Sequence, residues 1–193
     1  MNNGTETQSS VFGEMWSDEM LRAINENAIL KQAEQETLTA TFPTTNAGKQ
    51  FSMTARLLKA HTKRGTDRDV FYIDVGGYDN HVDLKYWQKI RFEELDPALD
   101  AFRQEMKAQG KWDDVVVVAV TDFARTLTPN SSRGSDHAWG GNLFAMGGKV
   151  RGKRILGTHT IGDWYKDENG DMKHTGPLTL SRGRIIPTLS YNA

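Results

Sequence analysis

Apolar residues recur at every fourth position from Phe12 through Trp16, Met20 and Ile24 to Ala28, and Met15, Leu21 and Ile29 broaden the same stripe. That recurrence keeps side chains on one side of a helix, so Val11 to about Gln35 is predicted as an amphipathic helix. The Thr-rich stretch from Thr37 to Asn46 contains Pro43 and reads as a connector. Phe51, Ala55 and Leu58 then mark one face of a second helix over Gly48 to His61. The period changes at Val70-Phe71-Tyr72-Ile73-Asp74-Val75, an apolar and aromatic run that ends in Gly76-Gly77 and suits a strand entering a tight turn. A long helical pattern covers Leu84 to Gln109, and Pro97 inside it predicts a kink or two abutting helices. Val115 to Val120 is almost wholly β-branched, the pattern of a strand buried on both faces.

Strand, long helix, strand is a βαβ unit, which implies parallel pairing and a right-handed crossover. The expected class is α/β. After Asn130 the chain is rich in Gly and loop-like, with short strands predicted at Leu143–Met146 and Lys153–Leu156. A turn at Asp167-Glu168-Asn169-Gly170 predicts a hairpin. The polar residues Met1 to Ser10 read as a frayed end.

Composition narrows the function classes. The 193 residues suffice for one well-cored domain, with 25% charged and 37% hydrophobic residues, a globular profile. The formal net charge of -1 gives no electrostatic reason to expect nucleic acid or an anionic membrane as partner. No apolar run approaches the roughly 20 residues of a spanning helix, and the first residues lack the features of a signal peptide. The chain as given therefore reads as cytoplasmic, or as exported if a longer protein supplies a signal. With no Cys, any metal must be held by His, carboxylate or other oxygen ligands.

Ligands of open α/β sheets gather outside the carboxyl ends of the strands, so the polar residues after the two best strands are the first candidates. Asp79 and His81 follow Gly76-Gly77, and in an extended loop their side chains project to one side, able to converge on one cation. The other reading has Asp79 or Asn80 capping a turn and His81 solvated. Asp122 follows the Val-rich run, placed to bind a metal or substrate, to cap a helix, or to pair with Arg125. Asp136 and His137 lie in the Gly-rich stretch Ser135-Asp136-His137-Ala138-Trp139-Gly140-Gly141, able to orient one another or serve neighbouring cations, or simply to form a surface turn. His61, His159 and His174 read as solvated or helix-end residues, and Lys149, Arg151, Lys153 and Arg154 as a solvated edge. There is no Walker-type phosphate loop and no Gly-x-Ser-x-Gly elbow. Acid-plus-His clusters without a nucleophile point to metal-assisted hydrolysis ahead of acyl transfer.

Taken in order, Phe42-Pro43, Ala55-Arg56-Leu57, Gly76-Gly77-Tyr78-Asp79-Asn80-His81, Thr121-Asp122-Phe123-Ala124-Arg125-Thr126, Asp136-His137-Ala138-Trp139-Gly140-Gly141, Met146-Gly147-Gly148, Val150-Arg151-Gly152 and Arg182-Gly183-Arg184-Ile185-Ile186-Pro187-Thr188 resemble a bacterial sulfatase-like family of unknown function. That family is placed in the alkaline phosphatase/sulfatase superfamily. The resemblance spans roughly Thr41 to Thr188 and implies a three-layer αβα sandwich with a mostly parallel sheet. It also implies hydrolysis of phosphate or sulfate esters, on small molecules or glycans, with a divalent metal such as Zn, Ca, Mg or Mn. By position, Asp79, His81, Asp122, Asp136 and His137 are the implied metal ligands. Arg125 is implied either to face an anionic substrate or to form a structural ion pair. Phe123 stands where relatives have a metal-binding His. Relatives also carry an N-terminal Gly-Gly-x-Asp segment with the nucleophile region, which nothing in Met1 to Gln50 matches. The expected organisation is thus a polar tail and helix over residues 1–40 and a partial domain over 41–193, incomplete at both ends and lacking segments of the same domain. A catalytically inactive domain with a binding or structural role is the alternative.

Overall fold

A computed structural model describes residues 10–157, 163–170, 172–175 and 179–189. Helix α1 runs over Val11–Glu34, and the Ser10 hydroxyl caps it by accepting from the Gly13 N–H at 3.1 Å. Thr45 caps helix α2, Asn46–Lys59, in the same way, accepting from the Gly48 N–H at 3.1 Å. A single turn, α3, follows at His61–Arg64, and α4 spans Leu84–Ala108 with Pro97 inside it. No described helix is long and apolar enough to cross a membrane.

The chain divides into two units. The first comprises the residues up to Asp74 together with Ala98–Gln109. Its core joins α2 to the C-terminal half of α4. Phe51 and Phe102 pack at 5.3 Å between ring centroids, among buried Ala47, Ala55, Ala98, Ala101 and Met106. Burying a side chain such as Phe102 or Met106 contributes about 2 kcal/mol. Within this core the Glu105 carboxylate is fully buried. It accepts from the backbone N–H groups of Thr39 and Ala40, at 2.7 and 2.8 Å, and from the Gln109 amide at 2.8 Å. A buried charge is tolerated when its lone pairs are satisfied in this way, and here it latches the connector before α2 onto α4.

Two features of this unit depart from the periodicity. The apolar stripe of α1 stays largely uncovered, with Phe12 83% and Trp16 65% exposed, whereas Ser17 and Ala33 are buried. An apolar stripe states which face can be buried, not what covers it. The strand predicted at Val70–Val75 does not form, and Val70 and Tyr72 are exposed. The Gln50 side chain serves the Asp74 backbone instead, donating to its carbonyl at 2.7 Å and accepting from its N–H at 3.0 Å. A β-propensity without a ladder partner makes no strand.

The second unit comprises Val75–Pro97 and the residues from Gly110 onward. Its strands are β1 Val116–Val118, β2 Ala124–Arg125, β3 His137–Ala138, β4 Ala145–Gly147, β5 Asp163–Lys166, β6 Met172–Thr175, β7 Thr179–Leu180 and β8 Arg184–Ile185. Among the described residues they form four two-stranded sheets, β1 with β4, β2 with β3, β5 with β6 and β7 with β8, every pair antiparallel. This overturns the expected α/β class and the three-layer αβα sandwich with a mostly parallel sheet. The βαβ inference needed two strands to share a sheet, but the first is absent, and β1 pairs with the later residues of β4. Val116 and Val118 are 61% and 58% exposed rather than buried on both faces. A β-branched run favours extended backbone without choosing its partner or what covers its faces.

The hairpin predicted at Asp167–Gly170 joins β5 to β6, where the Gly170 N–H donates to the Asp167 carbonyl at 2.9 Å. The stretch Lys153–Leu156 is exposed and forms no strand. His159 and the His174 side chain lie outside what is described, whereas Lys149, Arg151, Lys153 and Arg154 are exposed.

Burial by itself would raise the Glu105 carboxyl, but the Ala40, Gln109 and Thr39 donors outweigh it and hold it below the usual carboxylate range. The unfolded chain therefore takes up this proton first as the pH falls. The stability Glu105 provides at neutral pH is lost progressively below the ordinary carboxylate range. Glu105→Ala strands three donors and is expected to cost about 3 kcal/mol, read as a lower urea midpoint at pH 7. The difference from the parent should shrink on acidification.

Candidate metal centre

The loop that carries Asp79 and His81 begins at Gly77, whose φ of 89° lies in a region that side chains disfavour. The Asn80 amide donates back to the Gly77 carbonyl at 3.2 Å, and the Gln88 amide donates to Asn80 Oδ1 at 3.0 Å. This tight bend leaves Asp79 and His81 facing one space, with His81 Nε2 2.9 Å from Asp79 Oδ1. The loop is then joined to residues 132–135. The N–H groups of Asp83 and Leu84 each donate at 3.0 Å, to the carbonyls of Ser132 and Arg133.

His137 reaches the same space from β3, where it pairs across the ladder with Arg125 of β2. Its Nε2 lies 2.9 Å from Asp79 Oδ1 and 3.2 Å from His81 Nε2. Phe123 stacks on the His137 ring at 4.0 Å and 13°, and the Arg125 guanidinium lies 5.3 Å from the centroid of the same Phe123 ring. Arg125 binds the Asp79 carboxylate and donates to the carbonyls of Ser135 at 2.5 Å and Tyr78 at 3.2 Å. Its side chain is only 16% exposed, against 55% for Asp79. The guanidinium is thus taken up by the protein.

Donation from His137 draws the Asp79 carboxyl below the usual carboxylate range, with Arg125 adding to it and partial burial opposing. Asp136 is likewise held low, first by the Asn130 amide and then by Arg182. Both groups stay ionised in mildly acidic solution.

Of the five residues expected to bind metal, the structure brings Asp79, His81 and His137 into one group, their ligand atoms all within 4.8 Å of one another. Asp136 adjoins it through the far side of the His81 ring, Nδ1 to Oδ1 at 3.5 Å. Asp122 stands apart, exposed at a small cleft of about 70 Å³ walled by Phe123, Trp139 and Leu143 among others. Two residues that sequence reasoning passed over also matter here. Asn130 accepts from the N–H groups of Ser132 and Gly134, at 3.0 and 2.9 Å, and donates to the His81 carbonyl at 2.9 Å. Arg182 pairs with Asp136. The sequence Pro129-Asn130-Ser131-Ser132 carries the Asn-turn signal that could have marked the first.

The group passes a simple test of fit. Metal–ligand bonds of about 2.1 Å set adjacent ligand atoms about 3.0 Å apart in octahedral geometry and about 3.4 Å apart in tetrahedral geometry. The three separations of 2.9, 2.9 and 3.2 Å are close to the first, and only the 3.2 Å one approaches the second. Two imidazoles with one carboxylate suit first-row transition ions better than Ca or Mg, which favour all-oxygen sites.

Geometry thus defines the chain as the bearer of a half-exposed, two-histidine, one-carboxylate group of cation-site dimensions. The chain belongs to the protein family of unknown function DUF1501, whose profile matches residues 2–170. Neither the curated proteins nor the solved structures contain a match to it.

Gly134 is buried against the backbone of His81, where an added Cβ would collide with the His81 carbonyl group and come within 2.6 Å of the Val82 nitrogen. Gly134→Ala is therefore expected to push the His81 loop away from residues 132–135 and to destabilise by about 2 kcal/mol. Thermal unfolding measures the loss, and the His81 and His137 imidazole NMR signals should shift together.

Proposed function

We propose that Asp79, His81 and His137 hold one divalent transition-metal ion, and that the region serves metal-assisted hydrolysis of phosphate or sulfate esters. The observation that carries the metal reading is the convergence of three ligand atoms at separations of 2.9 to 3.2 Å on residues 56 and 58 positions apart. The ester substrate class comes from the motif resemblance to sulfatase-like proteins, and a cation held here would supply Lewis acidity toward an ester oxygen or water. The chain's own groups prepare the site. Arg125 keeps Asp79 ionised and in place, and Phe123 supports the His137 ring from one face. In the metal-free protein the two Nε2 atoms at 3.2 Å require a proton on one ring and a lone pair on the other. A cation needs a lone pair on each ring, so imidazolium formation competes with it and affinity falls as the pH is lowered.

The competing reading is a catalytically inert domain in which the cation only ties loops together. It is favoured by the position of Arg125, whose guanidinium is committed to Tyr78, Asp79 and Ser135 instead of facing a ligand.

Elemental analysis of the purified chain after incubation with Zn2+ or Mn2+ is expected to find one ion per chain. His81→Ala and His137→Ala should each weaken binding by at least about 100-fold. Hydrolysis of aryl phosphates or aryl sulfates that stops on chelation supports the enzymatic reading. Stoichiometric metal without any turnover supports the inert one. No stoichiometric metal in the parent protein overturns both.

A further inference from the structure

His81 has two ring nitrogens, and the structure places a different carboxylate at each. Nε2 faces Asp79 at 2.9 Å and His137 at 3.2 Å, within the three-residue group. Nδ1 points the other way, toward Asp136 Oδ1 at 3.5 Å. An imidazole can offer a lone pair at one nitrogen only while its proton sits on the other. In the metal-free ring Asp79 and Asp136 compete for that proton, and once a cation takes Nε2 the proton is left on Nδ1, facing Asp136.

Asp136 is itself held from every side. Its backbone N–H donates to the Thr126 hydroxyl at 3.1 Å, and its carbonyl accepts from the Thr126 N–H at 2.8 Å. Its Oδ2 is paired with Arg182, a residue kept at a positive φ of 64°. The N–H groups of Leu127 and Thr128, donating to the carbonyls of Gly183 and Arg182 at 3.0 and 3.2 Å, keep that turn in place. The Asn130 amide donates both to Asp136 Oδ1 at 3.3 Å and to the His81 carbonyl at 2.9 Å, so one side chain registers the carboxylate against the residue whose ring it faces. Arg182 and Asn130 leave Asp136 with little freedom to turn into the group of three.

We infer that Asp136 is a positioning residue and not a metal ligand: held by Asn130 and Arg182, it backs the Nδ1 side of the His81 ring and anchors the ring by its Nδ1–H when a cation takes Nε2. This rests on the metal reading of Asp79, His81 and His137. It reassigns one of the carboxylates that position along the chain had marked as a ligand.

The substitution Asp136→Asn separates the two roles. Arg182 claims the amide oxygen, which leaves the amide NH2 facing Nδ1, so the Nδ1–H of a cation-bound ring loses its acceptor. Zn2+ titration calorimetry on the full chain at fixed pH is expected to show affinity 10- to 100-fold below the parent in Asp136→Asn, with one ion still bound. The Co2+ absorption band of the loaded variant should keep the parent's position and intensity, because the ligands are the same. NMR of the Zn2+-loaded parent should show the His81 Nδ1–H signal at low field, moving upfield in Asp136→Asn as it loses the carboxylate. Unchanged Zn2+ affinity, a Co2+ band altered as in Asp79→Ala, or a His81 ring that binds the ion through Nδ1 in the parent each overturns the inference. If the parent binds no Zn2+ or Co2+, the metal reading fails and the inference with it, whereas one bound ion with unchanged affinity in Asp136→Asn overturns the inference alone. Should Asp136→Asn fail to fold by circular dichroism, Asp136→Ala provides the affinity comparison and the parent spectrum the ligating nitrogen.

Discussion

The second unit depends on one cation of its own, the Arg125 guanidinium. It binds the carboxylate of Asp79, the carbonyl before it at Tyr78 and the carbonyl of Ser135, and so ties the Gly77–Val82 loop to the strand pair that carries His137. A weakly hydrated planar cation with several donors is suited to this, because it can satisfy carbonyls and a carboxylate at once. Mostly withdrawn from solvent, it also offsets the charge that Asp79 brings to the site. The second acid beside the group, Asp136, is offset in the same way by Arg182.

Hydrogen bonding carries more of the organisation here than apolar burial does. The buried side chains of this unit are small or polar, Ala124, Thr126, Thr128, Ser135 and Ala138, whereas the first unit buries Phe51, Phe102 and Met106. Asn130 shows the consequence, because its one amide satisfies two backbone N–H groups and reaches both His81 and Asp136. Loops held this way can place ligand atoms closely, since each donor direction constrains a torsion that packing alone would leave free.

How far the chain could be read by eye differs by level. The three long helices were legible within a residue or two, because four-residue periodicity is a local signal. The sheet was not. Val70–Val75 and Val115–Val120 have the composition of strands, but pairing is decided by which distant segment arrives alongside, and Gln50 and β4 took those places. At the site, the alternate spacing of Asp79 and His81 was legible as a shared direction, and His137 as a residue of the right type. That Asp122 would stand apart was not, because a position just after a strand has that meaning only in a parallel sheet, and none forms among the described residues. A structural ion pair was one reading of Arg125, but its partner, Asp79, was not legible, and Asp136 was visible as chemistry but not as a part already bound to Asn130 and Arg182.

The sequence by itself determined the helices, the absence of thiol ligands and the small set of side chains able to hold a cation. These follow from residue type and from spacings of two to four positions, over which backbone geometry is predictable. Only the tertiary structure decided which of them meet. His81 and His137 are separated by 56 residues, and their 3.2 Å approach depends on the pairing of β2 with β3, the bridge at residues 132–134 and the reach of Arg125. It also decided that Asp136 sits behind the His81 ring, because the direction of a side chain is set by the long-range partners of its backbone and not by its neighbours in sequence.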